Sequence, residues 1–435
     1  MQKKLIILGG NPETGVLVDI AESMGIYTIV IDPNPNAPAK KHASETHDID
    51  GFDIDKIVNI AKERKVDGVL VGVADILVKP YREICEKLNF PCYANEKAVE
   101  AFCSKDGFKR YCEKYGIQDI PGIYLTNDSE IKKPQSISYP LMVKPVDSGG
   151  GVGVKICRDE EDYIATVETA LEYSKKGVVL VEKYMDTNCD DMAVYYTFRN
   201  GTSYLSATFD RQLTRLQGDS SPIALGTVYP SKYTEKFVKE VHPKLCTMFE
   251  GIGVKAGVLC IQFFVENGQF YIYDPGFRLQ GEAPHIHLEA INGFDHRKML
   301  INYALTGIFG DADFPDKNDY MFRGKSASSI WILLKGGKID KVEGLNEIKS
   351  NENVVFVAER FKVGDTVEEE FLGTERQIIY RIYVNADSIT EVNQMIEKFK
   401  NTLKILDSNG ENMILEWLKP WNEKDYINEK DYIIN

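Results

Sequence analysis

Residues 139–154 read YPLMVKPVDSGGGVGV, and the rest of the chain is organised around them. Leu141, Met142 and Val143 form a short apolar run ending on Lys144, the pattern of a buried strand that carries one charge to its tip. Pro145 ends the run. Asp147 and Ser148 lead into Gly149, Gly150, Gly151 and Gly153, after which Val152, Val154 and Ile156 resume strand-like alternation. The expected order is therefore strand, glycine loop, strand. Glycines let backbone N–H groups crowd around an anion without obstruction by Cβ, and a lysine beside such a loop suits a phosphate chain. A flexible hairpin with a surface lysine has the same local pattern, so the flanking sequence has to decide.

The flanks describe an ordinary globular chain. Its 435 residues are enough for roughly three domains. It carries 52 basic and 66 acidic side chains, a net charge of −14, which argues against duplex nucleic acid as a partner because phosphate-backbone binding needs a basic footprint. The eight cysteines form no C-x-x-C pair and no zinc spacing; they read as reduced thiols of a cytoplasmic protein. No apolar run approaches the ~18 residues of a membrane span, and the run after MQKK is too short for a signal peptide.

Residues 1–95 alternate apolar strands (5–8, 27–31, 69–71) with helices (16–24, 52–64), which predicts a small parallel sheet with helices on both faces. Its first turn, GGNPETG over 9–15, with Asp32 downstream, tempts toward a dinucleotide fingerprint; the spacing is not G-x-G-x-x-G. Residues 97–114 read as one charged helix, 160–174 as an amphipathic helix and 237–251 as another. Strands at 194–198 and 202–209 should turn at Asn200-Gly201. From 326 onward strands and a helix at 389–404 read as a separate α+β segment, and NEKDYI, repeated at 422–427 and 428–433, reads as a loose polar tail.

A second hairpin, 258–265 with 270–274, carries Gln262 and Asp274. Their separation is even, so a three-residue connection at Asn267-Gly268-Gln269 would set them opposite each other on one face. An amide oxygen and a carboxylate so placed can share Mg²⁺, and the fixed charge of Arg278 suits a transferring phosphoryl group. Lys144 with its glycine loop, then Glu182-Lys183-Tyr184-Met185, then Gln262, Asp274 and Arg278 occur in that order. This set resembles the ATP-grasp ligase superfamily, with the E-K-Y hinge of its biotin carboxylase branch and a metal hairpin similar to that of the carbamoyl-phosphate synthetase large subunit.

The resemblance implies an α/β and α+β chain: a parallel-sheet pre-ATP-grasp domain over 1–95, an ATP-grasp domain over 96–310 with a glycine-loop lid at about 120–185, a C-terminal α+β subdomain over 311–420, and a tail. It implies an ADP-forming ligase that activates a carboxylate as an acyl phosphate for an amine or other nucleophile, using ATP and Mg²⁺ or Mn²⁺, with small-molecule substrates and a possible homodimer. Lys105 and Lys144 would neutralise phosphates beneath the loop of Ser148, Gly149, Gly150, Gly151 and Gly153. Glu182 and the backbone of Lys183 and Met185 would meet adenine, and Asp190 or Asp191 the ribose. Gln262 and Asp274 would hold metal, and Arg278 the transition state. The family pattern E-x-N-x-R is here Asp274-Pro275-Gly276-Phe277-Arg278, so no side chain at 276 can ligate a second metal. Either water or a group such as Glu282 fills in, or one magnesium site is weakened; an ATP-binding protein with impaired or lost catalysis is the alternative reading. His285 and His287, spaced for one face of a strand, and Arg211 and Arg215 are candidates for substrate contact.

Overall fold

The computed structural model describes residues 2–128, 130–132, 135, 137–146, 153–185, 189–214 and 222–426. Three of its sheets position the site. In the first, strands Glu45–His47, Tyr27–Ile31, Lys4–Leu8 and Gly68–Val71 lie side by side in that order, all parallel. Leu5, Ile6, Ile7 and Leu8 are fully buried, which is why the strand reads as a continuous apolar run. The chain steps outward from Lys4–Leu8 to the second and third strands, then returns to its other side for Gly68–Val71. That reversal opens a crevice at the carboxyl ends of Lys4–Leu8 and Gly68–Val71, the place where open α/β sheets receive ligands.

Helix Pro12–Ser23 begins at once after the first strand, because Asn11 accepts from the Thr14 N–H at 2.8 Å and Pro12 is already set to a helical φ. The predicted turn over 9–15 is thus shorter than expected, and Gly15 is helical. Gly10 answers to packing: a Cβ there would stand 2.4 Å from Ala37 Cβ and 2.8 Å from Asp32 Cγ.

The second sheet is antiparallel and runs Gln269–Gly276, Gly257–Glu266, Asp190–Arg199, Thr202–Leu213, Ala224–Tyr229, Ser326–Leu333, Ile378–Ala386, Val354–Glu359. Its last three strands come from the stretch read as a separate segment; they extend the central sheet instead of forming one of their own, and so pair an edge that Ala224–Tyr229 would otherwise leave open. Both expected hairpins turn on Asn-Gly. Asn200 and Gly201 have φ of 52° and 83°, and Asn267 and Gly268 have 51° and 75°, the left-handed pair that a two-residue turn needs.

The third sheet, Gly122–Thr126, Val178–Lys183, Leu141–Pro145, Lys155–Cys157, is antiparallel and packs helix Tyr163–Glu172 over a small core of its own that includes Leu141, Val143, Val167 and Val181. Within residues 139–154, Leu141–Pro145 form one of its strands. Ser148, Gly149, Gly150 and Gly151 lie outside the described residues, as does Arg215.

Two predicted helices are each divided. Glu96–Phe102 stops before Ser104, which caps Lys105–Lys114 by accepting from the Gly107 N–H at 3.2 Å. Thr234–Glu240 gives way to His242–Ile252, whose first turn holds Pro243. Over 421–426 the tail is docked rather than loose: the Trp421 N–H donates to Asn393 Oδ1 at 2.8 Å and the Tyr426 hydroxyl to Asp210 Oδ2 at 2.8 Å.

Candidate functional site

A cleft of about 1,050 Å³ lies where the three sheets face one another. Part of its lining is apolar, formed by Ile120, Met185, Phe264 and Ile272 together with Met142 and Leu180. Phe264 and Tyr273 stack with centroids 4.4 Å apart, stiffening that lining. A flat, apolar heterocycle suits such a slot.

Glu182 ends the slot. Its side chain is 4% exposed and its carboxylate pairs with Lys144, while Lys109 Nζ stands 3.8 Å away. Strand register explains the pairing, since Met142 lies opposite Glu182 and Lys144 points from the same face two residues on. Lys144, expected on phosphate, and Glu182, expected on adenine, thus stand side by side and pair with each other. Lys109, absent from the sequence reading, follows Lys105 by one helical turn and also donates to Asp119 Oδ2 at 2.8 Å and the Ile120 carbonyl at 2.7 Å; the i, i+4 spacing in SKDGFK was the available signal. The Lys183 N–H already donates to the Pro121 carbonyl at 2.9 Å, so it cannot serve a bound base. Lys183 Nζ pairs with Glu266 at 2.5 Å.

Gln262 and Asp274 are opposite each other, as expected, for a different reason. The turn has two residues, Asn267-Gly268, with Glu266 facing Gln269; a bulge between Gln262 and Phe263 in the pairing inserts Tyr273 and restores the even register. Lys105, Lys144 and Arg278 all act on Asp274: burial pushes its carboxyl up to about 6, the nearby charge of Asp75 adds to that, and those three cations pull the other way. Magnesium fits an amide and a carboxylate placed side by side, because it is ordinarily held by one or two carboxylates plus substrate phosphates. Among the described residues no three His, Cys, Asp or Glu side chains group into a metal cage. Arg278 is held from the N-terminal sheet: Nη2 meets Asp75 Oδ2 at 2.5 Å, and Nη1 donates to the Leu279 carbonyl and Gln280 Oε1, both at 2.8 Å.

Arg211 donates to Asp191 Oδ1 at 3.1 Å and the Tyr273 hydroxyl at 3.0 Å and pairs with Glu282 Oε1 at 2.9 Å. Burial raises the carboxyls of Asp191 and Glu282 against the pull of Arg211. Asp190, the other ribose candidate, is the more open of the two, paired with Lys232 at 3.0 Å and accepting from the Tyr233 hydroxyl. A second network, Glu13 with Arg360 and Arg381 at 3.2 and 3.0 Å and Glu375 with Arg381 at 2.8 Å, brings Glu13, Arg360 and Glu375 to the lining of the cleft. Sequence reasoning missed it; its one local signal is an arginine inside the apolar strand IIYRIYV.

The strand expected for the two histidines is a helix instead. His285 and His287 lie on helix Pro284–Asn292, not on a strand, and neither borders this cleft. His287 is fully buried between Asn385 Oδ1 at 2.7 Å and Ser329 Oγ at 3.1 Å, and burial lowers it to about 4. His285 is buried as well. Pro284 at the first helical position sets this turn of helix. Gly153 is described but does not border the cleft.

Residues 104–306 match the family described as carbamoyl-phosphate synthase L chain, ATP binding domain. Over 275 residues the chain is 26% identical to the formate-dependent phosphoribosylglycinamide formyltransferase of Bacillus subtilis, covering 62% of this chain and 69% of that one. It is 24% identical over 306 residues to the carbamoyl phosphate synthase large chain of Clostridium botulinum, covering 65% of this chain and only 27% of that protein. In fold it is similar to the biotin carboxylase domain of the Hydrogenobacter thermophilus 2-oxoglutarate carboxylase, solved with MgADP and bicarbonate, with a TM-score of 0.72, 18% identity, and 93% and 91% of the two chains covered.

Proposed function

We propose that the chain is a member of the ATP-grasp ligase superfamily, as the match over residues 104–306 and the shared fold support, and that it is an ADP-forming carboxylate ligase. In this reading a substrate carboxylate takes the γ-phosphoryl group of ATP, releasing ADP, and an amine or other nucleophile then displaces phosphate from the acyl phosphate. One observation carries the reading: the apolar slot ended by Glu182, the cations Lys105 and Lys144, the Gln262–Asp274 pair and Arg278 all border a single cleft.

Each group has a physical role. A carboxylate is a poor electrophile, and phosphorylation supplies its leaving group. The slot of Ile120, Met185, Phe264 and Ile272 would bury the adenine, with Glu182 accepting from its amino group and Asp190 reaching the ribose. Lys144 would turn from Glu182 toward the phosphates, joined by Lys105. Magnesium, held by Gln262 and Asp274, would neutralise phosphate charge. Arg278, kept in place by Asp75, would stabilise charge on the transferring group and then on the tetrahedral acyl centre. Arg211, with Nη1 and Nε committed to Asp191, Tyr273 and Glu282, is less available to a substrate carboxylate than its sequence position suggests.

The test is a phosphate-release screen over paired acids and amines with ATP and Mg²⁺, followed by mass detection of product. ADP and phosphate should form with a defined pair, and Lys144→Ala and Arg278→Ala should each lower turnover ~100–1000-fold, the typical cost of losing a positioned transition-state donor. Near-native turnover in both variants would refute the assignment. Gly276, which lacks a ligating side chain, favours one other reading, an ATP-binding protein with impaired catalysis; nucleotide binding without turnover across the whole panel would select it.

A further inference from the structure

Position 276 is where the family pattern has asparagine, and in this fold the space beside it is already taken. A Cβ at Gly276 would meet Asp75 Oδ1 at 3.3 Å, nearer than any other atom, with Arg278 Cζ next at 3.6 Å. Asp75 comes from the N-terminal sheet, more than two hundred residues away in sequence, where the 3₁₀ turn Asp75–Leu77 leaves the carboxyl end of Gly68–Val71. That is the switch-point crevice of the parallel sheet. The loop is braced: Asn11 Nδ2 donates to the Val73 carbonyl at 2.8 Å and the Val73 N–H donates to Thr14 Oγ1 at 3.2 Å.

The two oxygens of Asp75 are used unequally. Oδ2 accepts from Arg278, whereas Oδ1 is itself covered and has no hydrogen-bond partner, although the side chain as a whole is 45% exposed. Asp274, two residues before Gly276 on the hairpin, is near enough for the charge of Asp75 to act on it. Arg278 offsets part of this repulsion through Oδ2, but an acceptor left without a donor near a like charge is stabilised by a further cation. We propose that Asp75 Oδ1 is the third oxygen donor of the divalent-cation site begun by Gln262 and Asp274, replacing the side chain that position 276 lacks, while Oδ2 holds Arg278. This rests on the reading of Gln262 and Asp274 as metal ligands. It makes the cation site shared between the N-terminal sheet and the hairpin, so cation binding favours their docking.

The experiment is Mn²⁺ titration of the full chain followed by the electron paramagnetic resonance signal of the free ion, without nucleotide or turnover. Asp274→Asn tests the underlying reading: unchanged Mn²⁺ affinity there would remove the metal site altogether. If Asp274→Asn weakens binding, Asp75→Asn should weaken it ~10–100-fold, and affinity within about twofold of native would overturn this inference alone. Asn at 75 keeps the shape and an acceptor for Arg278, so the loss would report the missing carboxylate rather than a displaced arginine. Asp75→Ala clears the space beside 276, and adding Gly276→Asn to it should recover part of the lost Mn²⁺ affinity. No recovery in that double variant would show that Asp75 does not replace the missing ligand.

Discussion

Replacing Arg211 by methionine should destabilise the protein strongly, and by an amount that depends on pH. Arg211 is 10% exposed and its two carboxylate partners, Asp191 and Glu282, are 3% and 4% exposed, so the three charges share one dry site. Methionine fills much of the volume and removes all of the charge, leaving two buried carboxylates that repel. Breaking a buried ion pair from one side typically costs ~3–5 kcal/mol. The strained carboxylates can escape by binding protons, and burial already raises both above the ordinary range. The sign follows: in the variant the native state holds more protons than the unfolded chain, so its stability falls as pH rises through the raised values. Each extra proton changes the deficit by ~1.4 kcal/mol per pH unit. The full loss should therefore appear in urea unfolding near pH 8 and shrink by a few kcal/mol near pH 5.5. The triple variant Asp191→Asn, Arg211→Met, Glu282→Gln, having no charge to strand, should regain most of it. A deficit under about 1 kcal/mol, or one identical at both pH values, would refute the view of Arg211 as the counter-ion of a closed triad.

Asp210 offers a second pH test. Burial raises its carboxyl from 3.8 to about 6, although Ser231, Lys232 N–H and Tyr426 all donate to it. The native state then gains most from protonation at low pH and loses ~3 kcal/mol as pH climbs from 3.8 past 6. Asp210→Asn should remove that dependence, so the native midpoint relative to the variant's should drop between about pH 4 and 7 in thermal melts; parallel curves would refute it. Tyr426→Phe deletes a donor to the ionised form and should move the upper edge of the window higher, read the same way. Gly107→Ala would press a Cβ to 2.0 Å from the Glu100 carbonyl oxygen, where helices Glu96–Phe102 and Lys105–Lys114 meet. It should cost ~1–3 kcal/mol and weaken nucleotide binding by shifting Lys105; an unchanged melting midpoint would contradict the close approach.

Local chemistry decided what was readable in advance. Apolar runs, Asn-Gly turns and period-two alternation act within a few residues, so the parallel sheet, both hairpins and the strand that carries Lys144 followed from the amino acids in order. Gln262 and Asp274 could be matched for the same reason, although it is a bulge at Tyr273, not a longer turn, that brings them level. What needed tertiary structure was whatever couples distant segments: Asp75 on Arg278, Arg211 between Asp191 and Glu282, Arg381 on Glu13, and Lys144 on Glu182. No local pattern encodes these, since each depends on which polar groups burial leaves without water and which opposite charge the fold delivers to them. The strand expected at His285 and His287 fails for that same reason. Their spacing suggested a strand facing substrate, but Pro284 starts a helix, and packing, not sequence, encloses them. The sequence by itself determined the order and type of the elements around the glycine loop; the tertiary structure decided which charges meet in the cleft, because burial makes a charge's partner a question of distance in space.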